Sequence, residues 1–171
     1  MKNYLLLLIW LPLISACGGD DNSTNEQTTE TVIESTPPLT IASSYATKDT
    51  LTVIGSGITM AEISFNKAEI KLPANQEITI ALKNESTDIS MPHNFVVIKT
   101  GTANDVGQNG VQFKENGFIN PADKNVIVHS PLAQANTTVY ISFKTPPAGE
   151  YEFICSYPGH WGLMKGKFIT E

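Results

Sequence analysis

Short segments in which apolar and polar residues alternate dominate the C-terminal two thirds of the chain. In Glu77–Lys83 and in Thr138–Lys144 every second residue is apolar, which is the period of a half-buried β-strand. Other short runs are rich in β-branched and aromatic residues and are bounded by turn-forming residues. They predict further strands at Ala68–Leu72, Phe95–Ile98, Val126–Val128 and Tyr151–Cys155.

Proline, glycine and asparagine separate these segments, as at Leu72–Asn75 and Pro146–Gly149. Repeated short strands with such turns predict an all-β domain folded as a β-sandwich. Residues 101–121 break the alternation and contain four glycines. For this segment we predict a long excursion with one or two helical turns, packed on the outside of the sandwich.

The N-terminal part of the chain has a different pattern. Residues 1–16 contain Lys2, an apolar run and small residues directly before Cys17, as in a bacterial export signal that ends in a lipidated cysteine. The run is too short to span a bilayer as a helix, so lipidation is preferred to a transmembrane anchor. Residues 17–46 are polar and predict a flexible tether of about 30 Å reach, or a passive spacer. Residues 47–171 then form one folded domain.

The charge of the chain is unevenly distributed. The formal net charge is −6, and five of the seventeen acidic residues lie in the predicted tether, where no lysine balances them. From residue 47 onward ten lysines face twelve acidic residues, and the chain has no arginine. Because no basic patch is available to neutralise phosphates, we expect no nucleic-acid binding.

The two cysteines, Cys17 and Cys155, have different expected fates. Lipidation of Cys17 leaves Cys155 without a partner in an exported protein, and an unpaired thiol there needs an explanation. Metal ligation as a thiolate supplies one. A buried structural cysteine is the alternative.

A cluster of soft donor groups follows at the C-terminus. Cys155, His160 and Met164 fall within ten residues, and with a second imidazole they make the His₂Cys set with a long axial Met of copper electron-transfer sites. His93 is the better candidate for the fourth ligand, because it directly precedes a predicted strand that would hold it rigidly. His129 has no second donor nearby and is disfavoured. Zinc is chemically possible, although an axial Met favours copper.

Three segments, 91–97, 120–132 and 155–167, carry a resemblance to the azurin and auracyanin branch of the cupredoxins, the type 1 blue copper proteins. The similarity extends over residues 60–171. It implies a Greek-key β-sandwich that binds one copper ion and carries single electrons. His93, Cys155 and His160 would form the trigonal plane, and Met164 would be the weak axial ligand.

The resemblance also assigns roles to neighbours of the ligands. Asn94 and Ser156 would tie the two ligand-bearing segments together and donate backbone hydrogen bonds that tune the thiolate; ordinary loop capping is the alternative. Pro92 departs from azurins, which have glycine there with its carbonyl near the metal. Proline constrains the backbone differently, so we expect no fifth interaction.

In this family an apolar patch surrounds the C-terminal ligand histidine, here His160. Redox partner proteins would dock there weakly and transiently, against a monomeric chain. Trp161 could instead have a core role. The predicted patch consists of Met91, Pro158, Trp161, Gly162 and Leu163.

Two other functions compete with electron transfer. Copper storage or delivery would use similar soft ligands, but from segments in which methionine or histidine is clustered. A copper enzyme would need more histidines for a second metal centre, so we do not expect this protein to be an enzyme.

The residue after Cys17 bears on the location of the predicted lipoprotein. Lipoproteins held at the inner membrane have Asp at this position, whereas this chain has Gly18. Gly18 therefore favours the outer membrane in a two-membrane cell and the outer face of the membrane in a one-membrane cell.

Overall fold

The computed structural model describes residues 50–171. The predictions for the signal segment 1–16, for Cys17 and for the tether 17–46 lie outside the described residues. Within residues 50–171, nine β-strands form two sheets. The strands are β1 (Thr50–Ser56), β2 (Ser64–Phe65), β3 (Glu69–Leu72), β4 (Glu77–Asn84), β5 (Val96–Lys99), β6 (Val126–His129), β7 (Thr138–Lys144), β8 (Gly149–Ile154) and β9 (Lys165–Thr170).

The strand order is β2-β1-β4-β7 in one sheet and β3-β9-β8-β5-β6 in the other. Strands β1 and β4 run parallel, as do β3 and β9, whereas the other pairs are antiparallel. Because strands that follow each other in sequence often belong to different sheets, the chain crosses repeatedly between them. The predicted all-β Greek-key sandwich is confirmed.

The core lies between the two sheets and contains the apolar residues predicted to face inward. The rings of Phe95 and Phe153 stack on each other within this core, with their centroids 5.1 Å apart. Burial of such side chains supplies most of the stability of a sandwich of this size. Its fully buried members include Val53, Ile80, Leu82, Phe95, Val97, Phe153 and Phe168.

The sequence pattern located β3, β4, β5, β6, β7 and β8 within two residues at each end, but three strands were not predicted. These are β1, the two-residue β2, and β9. Strand β9 begins Lys165-Gly-Lys167, and lysine and glycine are depleted in strands. It forms because β8 on one side and β3 on the other pair with it.

The excursion between β5 and β6 contains the helix α1 (Ala103–Gly110) and a 3-10 turn (Lys114–Asn116). Val106 of α1 and Ile119 pack against Val96, Ile98 and Ile154, on the face of the five-stranded sheet that points away from the sandwich core. The predicted position outside the sandwich is therefore confirmed. Among residues 50–171 no helix has the length and apolar character needed to cross a membrane.

Candidate metal centre

The loop between β8 and β9, Cys155–Met164, holds three of the four predicted ligands and is closed by its own backbone. The Cys155 N–H donates to the Met164 carbonyl at 2.9 Å, and the Met164 N–H donates to the His160 carbonyl at 2.8 Å. The His160 N–H donates in turn to Tyr157 at 2.9 Å. We call this segment the ligand loop. Its hydrogen bonds hold the three ligand-bearing residues close together.

His93 reaches the same place from a different part of the chain. It lies just before β5 and pairs with Ala133 through two backbone hydrogen bonds of 3.1 and 2.7 Å. The buried Asn84 amide, at the end of β4, donates to the carbonyls of Met91 and Ala133 at 2.8 and 3.0 Å. The position of His93 therefore depends on residues far from it in sequence.

Three donor atoms converge where the two segments meet. The two Nδ1 atoms of His93 and His160 are 3.2 Å apart, and the Cys155 Sγ lies 3.9 Å from the first and 3.6 Å from the second. All three side chains are fully buried, as is that of Met164. Met164 packs against Cys155 in one small apolar cluster with Ile63.

These distances fit a metal ion. In a trigonal plane, metal–nitrogen bonds of about 2.0 Å and a metal–sulfur bond of about 2.3 Å place neighbouring donor atoms about 3.5–3.7 Å apart. The observed separations of 3.2–3.9 Å bracket that range. Two imidazoles, a thiol and a nearby thioether are the donor set that suits copper.

Burial also sets the protonation states of the donor groups. Loss of solvation lowers the pKa of both imidazoles from 6.5 to about 4, and for His93 the nearby His160 contributes as well. Burial raises the pKa of the Cys155 thiol from 9.0 to about 12, although backbone N–H groups of Asn94 and Tyr157 oppose the rise. At neutral pH the imidazoles are ready to ligate, whereas the thiol must lose a proton to do so.

Asn94 and Ser156 tie the two segments together as predicted. The Asn94 Nδ2 donates to Ser156 Oγ at 2.8 Å and to the Gly117 carbonyl at 2.9 Å, and Asn94 Oδ1 accepts the Ser156 N–H at 2.8 Å. The prediction that the backbone N–H groups of Asn94 and Ser156 both donate to the Cys155 sulfur was correct for Asn94 only. Asn94 supplies one, but the Ser156 N–H is used by Asn94, so Tyr157 supplies the other.

Sequence reasoning missed two residues that shape the site. Asn84 continues the inward register of Ile78, Ile80 and Leu82, and a polar residue in a core register is the signal that could have identified it. Gly55, in β1, has no comparable signal. A Cβ there would stand 2.9 Å from His93 Cδ2 and 3.4 Å from the Met164 methyl group, so only glycine lets β1 approach both.

The remaining predicted residues lie around this centre. His129 ends β6 with its Nδ1 3.3 Å from the Ser130 carbonyl, and it does not join the three converging donors. Pro92 is buried beside His93, and the expectation of no fifth interaction stays a prediction. His160 is itself buried, beneath the exposed Gly159 and Leu163.

Trp161 is turned toward helix α1. Its ring occupies the space that a Cβ on Gly107 would need, 2.3 Å from the nearest ring atom, and its Nε1 donates to Asn104 Oδ1 at 3.4 Å. The side chain is partly buried, against the apolar cluster under the helix. Part of the indole therefore has the packing role that was the alternative for this residue.

Known proteins are similar to this chain in sequence. The family model of copper binding proteins of the plastocyanin/azurin family matches residues 52–171. Auracyanin-A of Chloroflexus aurantiacus is 40% identical over 113 residues, covering 64% of this chain and 68% of its own length. Azurin iso-2 of Methylomonas sp. strain J is 31% identical over 127 residues, covering 70% and 96%. Outer membrane protein H.8 of Neisseria meningitidis is 35% identical over 112 residues, covering 61% and 60%.

Solved structures agree with these matches. That of the blue copper protein auracyanin A from Chloroflexus aurantiacus superposes with a TM-score of 0.61 at 31% identity, covering 71% of this chain and 99% of the other. That of the azurin Az-iso2 from Methylomonas sp. strain J superposes with a TM-score of 0.64 at 30% identity, covering 73% and 99%. The likeness therefore extends through the whole sandwich.

Proposed function

The chain belongs to the plastocyanin/azurin family of copper-binding proteins, and we propose that His93, Cys155, His160 and Met164 are its copper ligands. The convergence of three buried donor atoms within 3.9 Å of one another carries this proposal. Met164 would be the weak axial ligand, because it is buried against Cys155 at the end of the ligand loop.

Family membership and the grouped donors make the chain a blue copper protein that carries single electrons. Bound copper supplies a one-electron Cu(II)/Cu(I) couple. The protein supplies rigidity, since the ligand loop is closed by its own backbone and His93 is fixed by Ala133 and Asn84. Donor groups that cannot move far when the charge of the copper changes keep the structural rearrangement of the site small. A small rearrangement permits fast electron transfer.

The visible spectrum of the purified protein after addition of Cu(II) tests the ligand assignment. We expect an intense blue colour, because charge transfer from a cysteine thiolate to Cu(II) absorbs strongly. Cys155→Ser should abolish it, whereas Cys17→Ser, the matched control, should leave it unchanged. A colourless complex, or equal loss in both variants, would contradict the assignment.

Copper delivery is the second candidate, and one observation favours it. The methionines are scattered in sequence, but the fold brings Met60 and Met91 beside the ligand loop that contains Met164. Thioethers near a surface could pass on Cu(I). Repeated reduction and reoxidation, with free copper measured after each cycle, separates the two functions: a carrier keeps its metal, whereas a delivery protein releases it on reduction.

We propose that the protein is not an enzyme. Within residues 50–171, His129 does not belong to the group of potential metal ligands formed by His93, Cys155 and His160, and it forms no second such group. A copper enzyme reducing a small oxyanion would consume nitrite when supplied with electrons. Steady nitrite consumption by the copper-loaded, chemically reduced protein would refute this proposal.

We further propose that Cys17 is lipidated and anchors a domain, residues 47–171, through the tether 17–46, at the outer membrane of a two-membrane cell or on the outer face of a one-membrane cell. The supporting observations are the small residues before Cys17, the presence of Gly18, and the relative named outer membrane protein H.8. Cys17→Ser should move the protein from the membrane fraction to the soluble periplasmic fraction. Unchanged fractionation would exclude this anchor.

A further inference from the structure

Exposed apolar side chains are concentrated at one end of the domain. Residues 50–171 contain five large exposed apolar side chains, and four of them lie on loops at the end that holds the metal site. Ile58 and Met60, exposed by 54% and 43%, follow β1; Ile89, exposed by 86%, follows β4; and Leu163, exposed by 57%, is in the ligand loop. Apolar residues gathered in this way indicate an interaction surface.

Contacts beneath the surface join these loops. Met91, close to Ile89, packs against the cluster of Ile63, Cys155 and Met164. Ile63 in turn ends the loop that carries Ile58 and Met60. The Met60 methyl group lies 2.9 Å from the point where a Cβ on Gly159 would stand. Two loops outside the ligand loop therefore extend the apolar area around it.

The charges on these two loops have one sign. Residues 57–62 and 85–91 contain no lysine, and their acidic residues are Glu62, Glu85 and Asp88. Glu85 is paired with Lys83 at 2.7 Å, whereas Glu62 and Asp88 form no ion pair within residues 50–171. Hydrogen bonds from the Ser90 N–H and hydroxyl, each 2.8 Å, lower the pKa of Asp88 and keep its carboxylate charged.

The nearest lysine in sequence to the ligand loop lies on another side. Lys165, directly after Met164, lines a cleft beside α1 together with Glu152 and Trp161. Lys114, in the 3-10 turn, lines a second cleft with His129. The loops 57–62 and 85–91 thus combine apolar residues with the acidic side chains of Glu62 and Asp88, which form no ion pair within residues 50–171, whereas Lys83 beside them is paired with Glu85.

We propose that Ile58, Met60, Ile89 and Leu163, bordered by Glu62 and Asp88, dock a redox protein whose contact face is apolar at its centre and basic at its border. We call these six residues the acidic docking surface. The proposal rests on the electron-carrier function proposed above. Opposite charges would speed the encounter, while a small apolar contact would keep the complex short-lived.

A second copy of this chain is a poorer occupant than a basic partner. In a symmetric contact the same surface meets itself, so Glu62 and Asp88 of one copy would approach those of the other. Like charges facing each other are unfavourable. The negative sign of the surface therefore selects a partner with lysine or arginine at the matching positions.

Oxidation of the reduced, copper-loaded full chain by two small probes tests the surface. Tris(phenanthroline)cobalt(III) is a trication with apolar aromatic ligands, and hexacyanoferrate(III) is a trianion. At about 0.1 M ionic strength, where screening acts over about 10 Å, replacing Glu62 by Gln and Asp88 by Asn should slow the trication about threefold. The same double variant should speed the trianion.

Glu77→Gln with Glu150→Gln is the matched control, because it removes the same charge from the far ends of β4 and β8. Strand β4 alone has eight residues and is about 27 Å long, well beyond the screening distance. The control should therefore change either rate by less than about 1.5-fold. Equal effects of the two double variants would show that only net charge matters and would overturn the proposal.

A measurement without electron transfer separates this proposal from the function on which it rests. The redox-inert, paramagnetic trication tris(phenanthroline)chromium(III) should broaden amide NMR signals of residues 58–62, 88–91 and 163 in the zinc-loaded protein. Broadening there would support the surface even if copper gave no electron transfer. Broadening centred elsewhere would overturn it even in an active carrier.

Discussion

The two segments that bring donor atoms to the metal centre are held in opposite ways. The ligand loop, Cys155–Met164, is fixed by hydrogen bonds within itself. His93 is fixed by Ala133 and by the Asn84 amide, which are 40 and 9 residues away in sequence. One segment is held mainly by hydrogen bonds within itself, and the other by residues from other parts of the sandwich.

This difference explains where the site is vulnerable. A substitution in the ligand loop alters the donor groups directly. A substitution in β4 or in the loop near Ala133 would instead move His93 without replacing any of the four proposed ligands. Asn94 couples the two, since it adjoins His93 and bonds both the backbone and the hydroxyl of Ser156. A rigid site needs both kinds of support.

Acid should destabilise both segments at once, and we expect it to cause the largest change in the free energy of unfolding of the metal-free protein. Both imidazole pKa values are lowered from 6.5 to about 4, so the unfolded chain binds protons below pH 6.5 that the folded, metal-free protein does not. The stability contributed by the neutral rings is complete above pH 6.5 and is lost as the pH falls toward 4. We expect a loss of about 2–4 kcal/mol between pH 7 and pH 5, measured by urea unfolding.

Single variants show how much each segment contributes to the pH dependence of the free energy of unfolding. His93→Gln and His160→Gln should each remove about half of the pH dependence, since each segment contributes one imidazole. A metal-free protein as stable at pH 5 as at pH 7 would contradict buried, neutral histidines.

Asn84→Ala should weaken the support of His93 while leaving every ligand in place. It removes bonds to the Met91 and Ala133 carbonyls and to the Ser86 N–H, and it deprives the buried Ser86 N–H of its acceptor. We expect a loss of about 2–3 kcal/mol in the free energy of unfolding. Asn66→Ala, which removes one exposed bond to Ile54, should cost less than about 1 kcal/mol. Equal costs would show that the amide is not the anchor inferred here.

The coupling between the segments can be measured with Asn94→Ala, Ser156→Ala and the double variant. Asn94→Ala removes both side-chain bonds to Ser156 as well as the bond to Gly117, whereas Ser156→Ala removes only the hydroxyl contact. A double-mutant cycle should give about 1 kcal/mol of interaction energy in urea unfolding. Additive effects would mean that the two segments are positioned independently.

The same difference accounts for what could be predicted from the sequence. The ligand loop was predictable because its donors are neighbours, and β4 and β7 because alternation is a local signal. His93 was identified by its position before a strand and by resemblance. Strand β9 and the thiol hydrogen bond from Tyr157 were missed, because pairing with β3 and β8 and the path of the loop decide them.

The acidic docking surface was only partly anticipated, for the same physical reason. Leu163 was predicted from the family resemblance, as part of the apolar patch around His160. Ile58, Met60 and Ile89 come from loops after β1 and β4, and no sequence spacing relates them to His160. Packing of Ile63 and Met91 on Cys155 and Met164 brings those loops together.

Met164→Leu should change the fold little and distinguish the axial position from the trigonal plane. Leucine has a similar volume and the site is fully buried, so the stability cost should stay below about 1.5 kcal/mol. The blue colour should persist because Cys155 is unchanged. The reduction potential should rise, since loss of a donor destabilises Cu(II) more than Cu(I). Voltammetry and the visible spectrum check both results, and loss of colour as complete as in Cys155→Ser would refute the axial assignment of Met164.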